Sequence, residues 1–172
     1  MWKARIAIAA SLLLAGMFAT PSSASTPTPV PGGANQVSAL SGKIGETVFN
    51  GVLRIQIQEL RNATAADNPA SMLPQADQKV MVMKVLLRNG AQADFIDLLT
   101  YTLADRDGVT FEIPSHLITG INPHILVAGA ARQSALFVVD KDFVPVKLIV
   151  RCATCAAATN FKAIRFTMSA DE

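Results

Sequence analysis

Cys152-Ala153-Thr154-Cys155 holds both cysteines of this 172-residue chain, and its spacing suits three kinds of chemistry. The first is a local disulfide, which an oxidising compartment and an even cysteine count favour. Its ring is short, so the loop-entropy relation assigns it only about 2 kcal/mol before strain is subtracted. The second is a redox-active dithiol. That chemistry normally places the first thiol at a helix N-terminus in a βαβ setting, which lowers its pKa. Here a strand-like run, Val144 to Arg151, precedes the pair, and Ala156-Ala157-Ala158 allows at most one helical turn. The third is a metal site. Two thiolates supply half of a tetrahedral set, and His116 and His124 are the only imidazoles. Seven residues separate those histidines, outside the usual finger spacing, and each reads as a loop or surface residue. Met81 and Met83 could suggest copper, but both fall on a strand phase expected to be core, where thioethers pack. The disulfide is the favoured reading of Cys152 and Cys155, with no metal and no cofactor expected.

Other constellations carry less. Asp105-Arg106-Asp107-Gly108 has its glycine at the fourth place and no late glutamate, so it reads as a β-turn and not as a calcium loop. Asn62-Ala63-Thr64 is a glycosylation sequon in form. No Gly-x-Ser-x-Gly elbow and no glycine-rich phosphate loop before a helix is present. Ser115-His116 is an adjacent pair without a nucleophile's flanking pattern. With no catalytic set assembled, a non-enzymatic protein is expected.

The N-terminus sets the compartment. Lys3 and Arg5 precede an uncharged run of 13 residues, Ile6 to Phe18, and Thr20-Pro21-Ser22-Ser23-Ala24 follows. This predicts a secretory signal over residues 1–24, of bacterial type, cut after Ala24. The run is too short to span a bilayer, which takes about 20 residues, and no second one occurs, so no transmembrane segment is expected in the mature chain. Leu14-Ala15-Gly16 opens like a lipoprotein box, but Met17 stands where Cys is required, so no lipid anchor is expected either. A secreted or periplasmic location follows. Loss of Lys3 and Arg5 takes the 15 basic residues to 13, which balance 13 acidic ones. A neutral chain gives no electrostatic reason to expect nucleic acid or an anionic membrane as partner. The only Trp, Trp2, leaves with the signal, which excludes a carbohydrate platform built on tryptophan.

The elements that must position these residues are strands. Residues 25–42 read as a flexible leader, whose Pro27, Pro29 and Pro31 favour an extended polyproline form of about 3.1 Å per residue. Residues 43–169 read as one domain. Thr47-Val48-Phe49, Asn50-Gly51 and Val52 to Leu60 make the strongest hairpin signal, with both turn residues expected at positive φ. Beyond it Leu53, Ile55 and Ile57 alternate with Arg54, Gln56 and Gln58. Residues 61–78 read as a long loop. Lys79 to Arg88 is a strand with Met81, Met83, Val85 and Leu87 on one face, ended by Asn89-Gly90. Phe95 to Leu103, Val109 to Ile113, Ala135 to Val139, Val144 to Arg151 and Phe161 to Met168 follow, with residues 115–123 as a loop. Several strands are apolar on both phases, so one outer face is expected to be partly apolar. Short helices could sit only in residues 34–42 and 64–78. The expected fold is an all-β, immunoglobulin-like two-sheet sandwich of about seven to nine antiparallel strands.

The order of these pieces resembles the telokin-like, immunoglobulin-like exported domains grouped as domain-of-unknown-function family 4352. Gly45 to Leu60 resembles the family's opening hairpin, and Lys79 to Asn89 its lysine-led strand ending in Asn. Leu103 to Gly108 is similar to its Leu-x-Asp-x-x-Gly turn. Ala128-Gly129 with Ala135 to Val139 is similar to its glycine turn and Phe-centred strand, with Ala128 where the family carries Pro. The resemblance spans most of residues 43–168, and the cysteine pair lies outside it. It implies a sandwich in an extracytoplasmic setting and no shared catalytic residues. The sequence thus points to an exported module that binds an unknown protein partner at the bacterial cell envelope. The alternative is a periplasmic thiol-redox or metal-binding factor using Cys152 and Cys155.

Overall fold

The computed structural model of the chain describes residues 40–168 apart from 121 and 157–158. Residues 1–39, which hold the expected signal and most of the expected leader, lie outside the described residues. So do Ala157 and Ala158, where the sequence allows at most one helical turn.

Ten strands are described: β1 Leu40–Lys43, β2 Thr47–Phe49, β3 Leu53–Asn62, β4 Gln78–Asn89, β5 Leu99–Asp105, β6 Thr110–Glu112, β7 Ile118–Thr119, β8 Ala130–Asp140, β9 Pro145–Cys152 and β10 Ile164–Thr167. They form two sheets of five, ordered β1-β10-β9-β5-β6 and β2-β3-β4-β8-β7. The segments β3-β4-β8-β7 and β10-β9-β5-β6 have the strand order and antiparallel pairing of the two sheets of an immunoglobulin-like sandwich. The expected fold class is what the chain adopts. The strand count exceeds the expected seven to nine because short edge strands, β1 and β7 among them, pair only through distant partners. β1 runs parallel to β10, the exception to the antiparallel pattern, and it begins at Leu40, inside the segment read as leader. β7 pairs with β8 inside the segment read as the 115–123 loop.

Period-two alternation builds the core. Leu53, Ile55 and Ile57 of β3 and Met81, Met83, Val85 and Leu87 of β4 face Leu99, Tyr101 and Leu103 of β5 and Leu148 and Val150 of β9 within one apolar cluster. Phe137, Ile164 and Phe166 complete its centre. A register shift between Ile57 and Glu59 inserts an extra residue in β3, so Leu60 turns inward where strict alternation would leave it out. The sequence predicts one partly apolar outer face, and Val80 and Val82 of β4 and Ile149 of β9 do point away from the core phase and are still buried.

The Asn50-Gly51 turn joins β2 to β3, but only Gly51 takes a positive φ, of 100°. Asn50 works through its side chain, whose Oδ1 accepts from the amides of Val52 (3.0 Å) and Leu53 (2.8 Å). The long loop between β3 and β4 holds two 3-10 turns, Ala65–Asp67 and Pro69–Met72. Arg61 fastens it by an ion pair to Asp67 at 2.8 Å, which with two bonds from Thr64 holds the Asp67 carboxyl far below its ordinary value. No helix among the described residues is long and apolar enough to cross a membrane.

Candidate functional site

Beside the Asn50-Gly51 turn, sandwich topology gathers the described residues of three longer connections at one end: β4–β5 (90–98), β7–β8 (120–129) and β9–β10 (153–163). The Cys152–Cys155 turn opens the third. Cys152 closes β9 opposite Leu99 of β5, and both cysteines pack against the core edge. Their sulfurs lie 1.97 Å apart, at disulfide distance, and the Cys155 amide donates to Cys152 Sγ at 3.0 Å. The Ala153 amide donates to the Leu98 carbonyl (2.8 Å), and the Leu98 amide to Thr154 Oγ1 (2.8 Å). Thr154 Oγ1 donates in turn to Asp97 Oδ1 at 3.1 Å. The cysteine turn is therefore strapped to the first loop by backbone and side chain together.

A strand runs into the pair, and the residues between the cysteines are irregular, so among the described residues no helix N-terminus begins at either thiol to stabilise a thiolate. Asp97, Cys152 and Cys155 form the one group of three or more His, Cys, Asp or Glu among the described residues whose ligand atoms come within 4.8 Å of one another. Neither histidine joins it. His116 lies in a 3-10 turn at Ser115–Leu117. His124 Nε2 pairs with Asp94 Oδ2 at 3.0 Å, and this bond, followed by one from the Val127 amide to Asp94 Oδ1, lowers the Asp94 pKa. Met81 and Met83 are buried in the core, as their phase requires. Asp105 Oδ1 accepts from the amides of Asp107 (2.9 Å) and Val109 (2.8 Å), so the turn closes on its own carboxylate.

The first and second loops are joined as firmly. Phe95 and Ile125 exchange backbone bonds of 3.0 and 2.9 Å. Buried Asn89 donates from Nδ2 to the carbonyls of Ala93 (2.7 Å) and Ile125 (3.0 Å), and its Oδ1 accepts from the Ala91 amide. Phe95 also stacks on Phe161 of the third loop, with centroids 6.3 Å apart. In an antiparallel bridge the residues flanking the paired ones project the other way. Ile96 and Leu126 flank the Phe95–Ile125 bridge, and they are 68% and 59% exposed; the next residue, Val127, is 50% exposed. Sequence reading missed this patch, because it exists only through a bridge between segments 30 residues apart.

A second group was equally invisible in the sequence. Arg54, Arg88 and Arg132, from three adjacent strands, share the outer face of the β2-β3-β4-β8-β7 sheet.

No family model matches the chain, and no curated protein matches it. Among solved structures it is similar to the X-ray structure of Northeast Structural Genomics Consortium target SoR45. That likeness has a TM-score of 0.39 and 13% identity, and it covers 71% of this chain and 85% of the other. A likeness of that size carries no functional conclusion.

Proposed function

We propose that this chain is an exported, non-enzymatic sandwich module of the bacterial cell envelope, of the family 4352 type, that binds a protein partner through its three-loop end. The observation that carries this reading is the exposed trio Ile96, Leu126 and Val127 on loops that are otherwise tied down. Rigid loops lose little entropy on docking, and apolar side chains grouped on such loops are what a protein interface uses. The exposed valines at the opposite end, Val109 and Val144, belong to separate turns. Export is supported by the N-terminal pattern of residues 1–24.

The test is site-specific photo-cross-linking in envelope extract from a probe at position 97, with Ile96→Asp and Leu126→Asp as variants and Val144→Asp as control. Loss of the cross-linked partner in the first two, but not in the control, is expected. A partner retained by both variants would move the interface elsewhere.

The second reading is a thiol-dependent or metal-handling factor, favoured by the approach of Asp97 to Cys152 and Cys155. It requires that reduction of the pair produce a protein that takes up zinc stoichiometrically. A reduced protein that leaves zinc in solution removes this reading.

A further inference from the structure

Arg54 stands directly opposite Arg88 across β3 and β4, and Arg132 of β8 stands opposite Leu86, one outward position along from Arg88. Like charges directly opposite on neighbouring strands destabilise a sheet, so such a group requires compensation. The same face shows what compensation looks like one row further on. There Lys84 meets Glu59 at 2.9 Å, and Glu59 also accepts from Arg61 at 3.0 Å. None of the three arginines has a carboxylate partner among the described residues. Arg54 is instead held by an aromatic ring, its guanidinium carbon lying 4.9 Å from the Phe49 centroid. Gly90 leaves room for this arrangement: a Cβ there would come within 2.6 Å of Arg54 Nη1 and 2.8 Å of Phe49 Cε2. Between the strands lies a shallow groove of about 170 Å³ lined by Thr47, Arg54, Gln56, Leu86 and Arg88. Gln56 is fixed at its edge by a bond from Nε2 to the Gly45 carbonyl at 2.7 Å.

We infer that this groove is an oxyanion site for a phosphate-type group, gripped by Arg54 and Arg88 with Arg132 adding charge beside them. Guanidinium groups are matched to such oxygens because their donors form a planar fork. The Thr47 hydroxyl and the Gln56 amide supply neutral donors along the same wall. The bound anion takes the place that Glu59 fills for Lys84. The neutral formal charge of the mature chain does not oppose this, because a whole-chain count averages over faces while the three arginines share one. The site is on a different surface from the three-loop end and does not depend on it.

The probe is inorganic phosphate at constant ionic strength, followed by calorimetry and by the arginine Nε–H resonances of the exported protein. A second arm uses vesicles of phosphatidylglycerol against phosphatidylcholine. Saturable shifts of Arg54 and Arg88 are expected. Arg54→Gln or Arg88→Gln should weaken binding by at least about tenfold, and Lys141→Gln, the same charge change on a distant loop, should leave it intact. Response to phosphate alone assigns a free anion, and added retention on phosphatidylglycerol vesicles assigns a headgroup; either supports the site. A linear, unsaturated response in both arms, or binding unchanged by both arginine variants while they melt like the parent, overturns it.

Discussion

The Tyr101 hydroxyl donates to Gln133 Oε1 in the centre of the sandwich, tying β5 of one sheet to β8 of the other. Both side chains point inward, and Gln133 Nε2 continues the chain to the Gly120 carbonyl at 2.7 Å. Tyr101 occupies the strand on which antibody domains bury a tryptophan, and no intersheet disulfide accompanies it among the described residues. A polar link inside an apolar core fixes how the sheets register, because any other packing would strand both groups.

Removing the hydroxyl should therefore cost more than its hydrogen bond alone. Tyr101→Phe leaves Gln133 Oε1 buried without a donor, and a loss of about 1–3 kcal/mol is expected in urea unfolding. Combining it with Gln133→Leu should cost less than the sum of the two single changes. Strict additivity would show that the two side chains are not coupled.

Alkali provides a second probe of the same residue. Burial pushes the Tyr101 phenol well above its ordinary value, so the native state keeps its proton where the unfolded chain has released it. The stabilising contribution is complete below the unfolded pKa, near 10, and is lost as pH rises above it, by about 1.4 kcal/mol per pH unit. Tyr101 is the only tyrosine, so phenolate absorbance reports it alone. Absorbance should rise together with the loss of β-sheet dichroism. A phenolate formed while the sheet signal is intact would show that the hydroxyl is open to solvent.

Much of this core was legible in the sequence, because alternation is a local signal. Leu103 and Phe137, read as core from their phases, are fully buried. The limits have equally local causes. β1 contains Ser41 and Gly42 and is held by parallel pairing to a strand more than 120 residues away, which no window of sequence displays. Leu60 is inward only because of the bulge after Ile57. The spacing of Cys152 and Cys155 leaves a disulfide, a dithiol and a metal site open, and the structure adds only that the two sulfurs lie at disulfide distance. Ile96 and Leu126 come to flank one bridge, and Arg54 comes to stand opposite Arg88, only once long-range register is set.

Asn89 holds the first two loops together, and its loss should be felt there first. In Asn89→Ala the Ala93 carbonyl and the Ala91 amide lose the side chain that pairs with them, and the Ile125 carbonyl keeps only the Phe95 amide, at a cost of about 1–3 kcal/mol. Amide exchange at Phe95 and Ile125 should accelerate more than at Met83, which sits mid-strand in β4. Equal acceleration at all three would mean that the loops have no independent opening.

The Cys152–Cys155 bond should prove structural. It encloses two residues, so it removes little freedom from the unfolded chain, and the turn it closes has its own fastenings through Ala153–Leu98 and Thr154–Asp97. Replacing both cysteines by serine should lower stability by up to about 2 kcal/mol. The partner cross-link from position 97 and the phosphate response should both survive. A redox protein would behave differently. Its disulfide would exchange readily in a glutathione buffer, with a potential above about −250 mV, because catalysis needs a bond that opens. Among the described residues no helix N-terminus adds to the single Cys155 amide that donates to Cys152 Sγ, so backbone stabilisation of the thiolate is limited to that one bond. Resistance to reduction in the native state, together with modest loss of stability in the double-serine variant, is the expected pair of results. Ready exchange at physiological glutathione would instead give Cys152 and Cys155 a functional role and shift the reading of the whole loop end toward thiol chemistry.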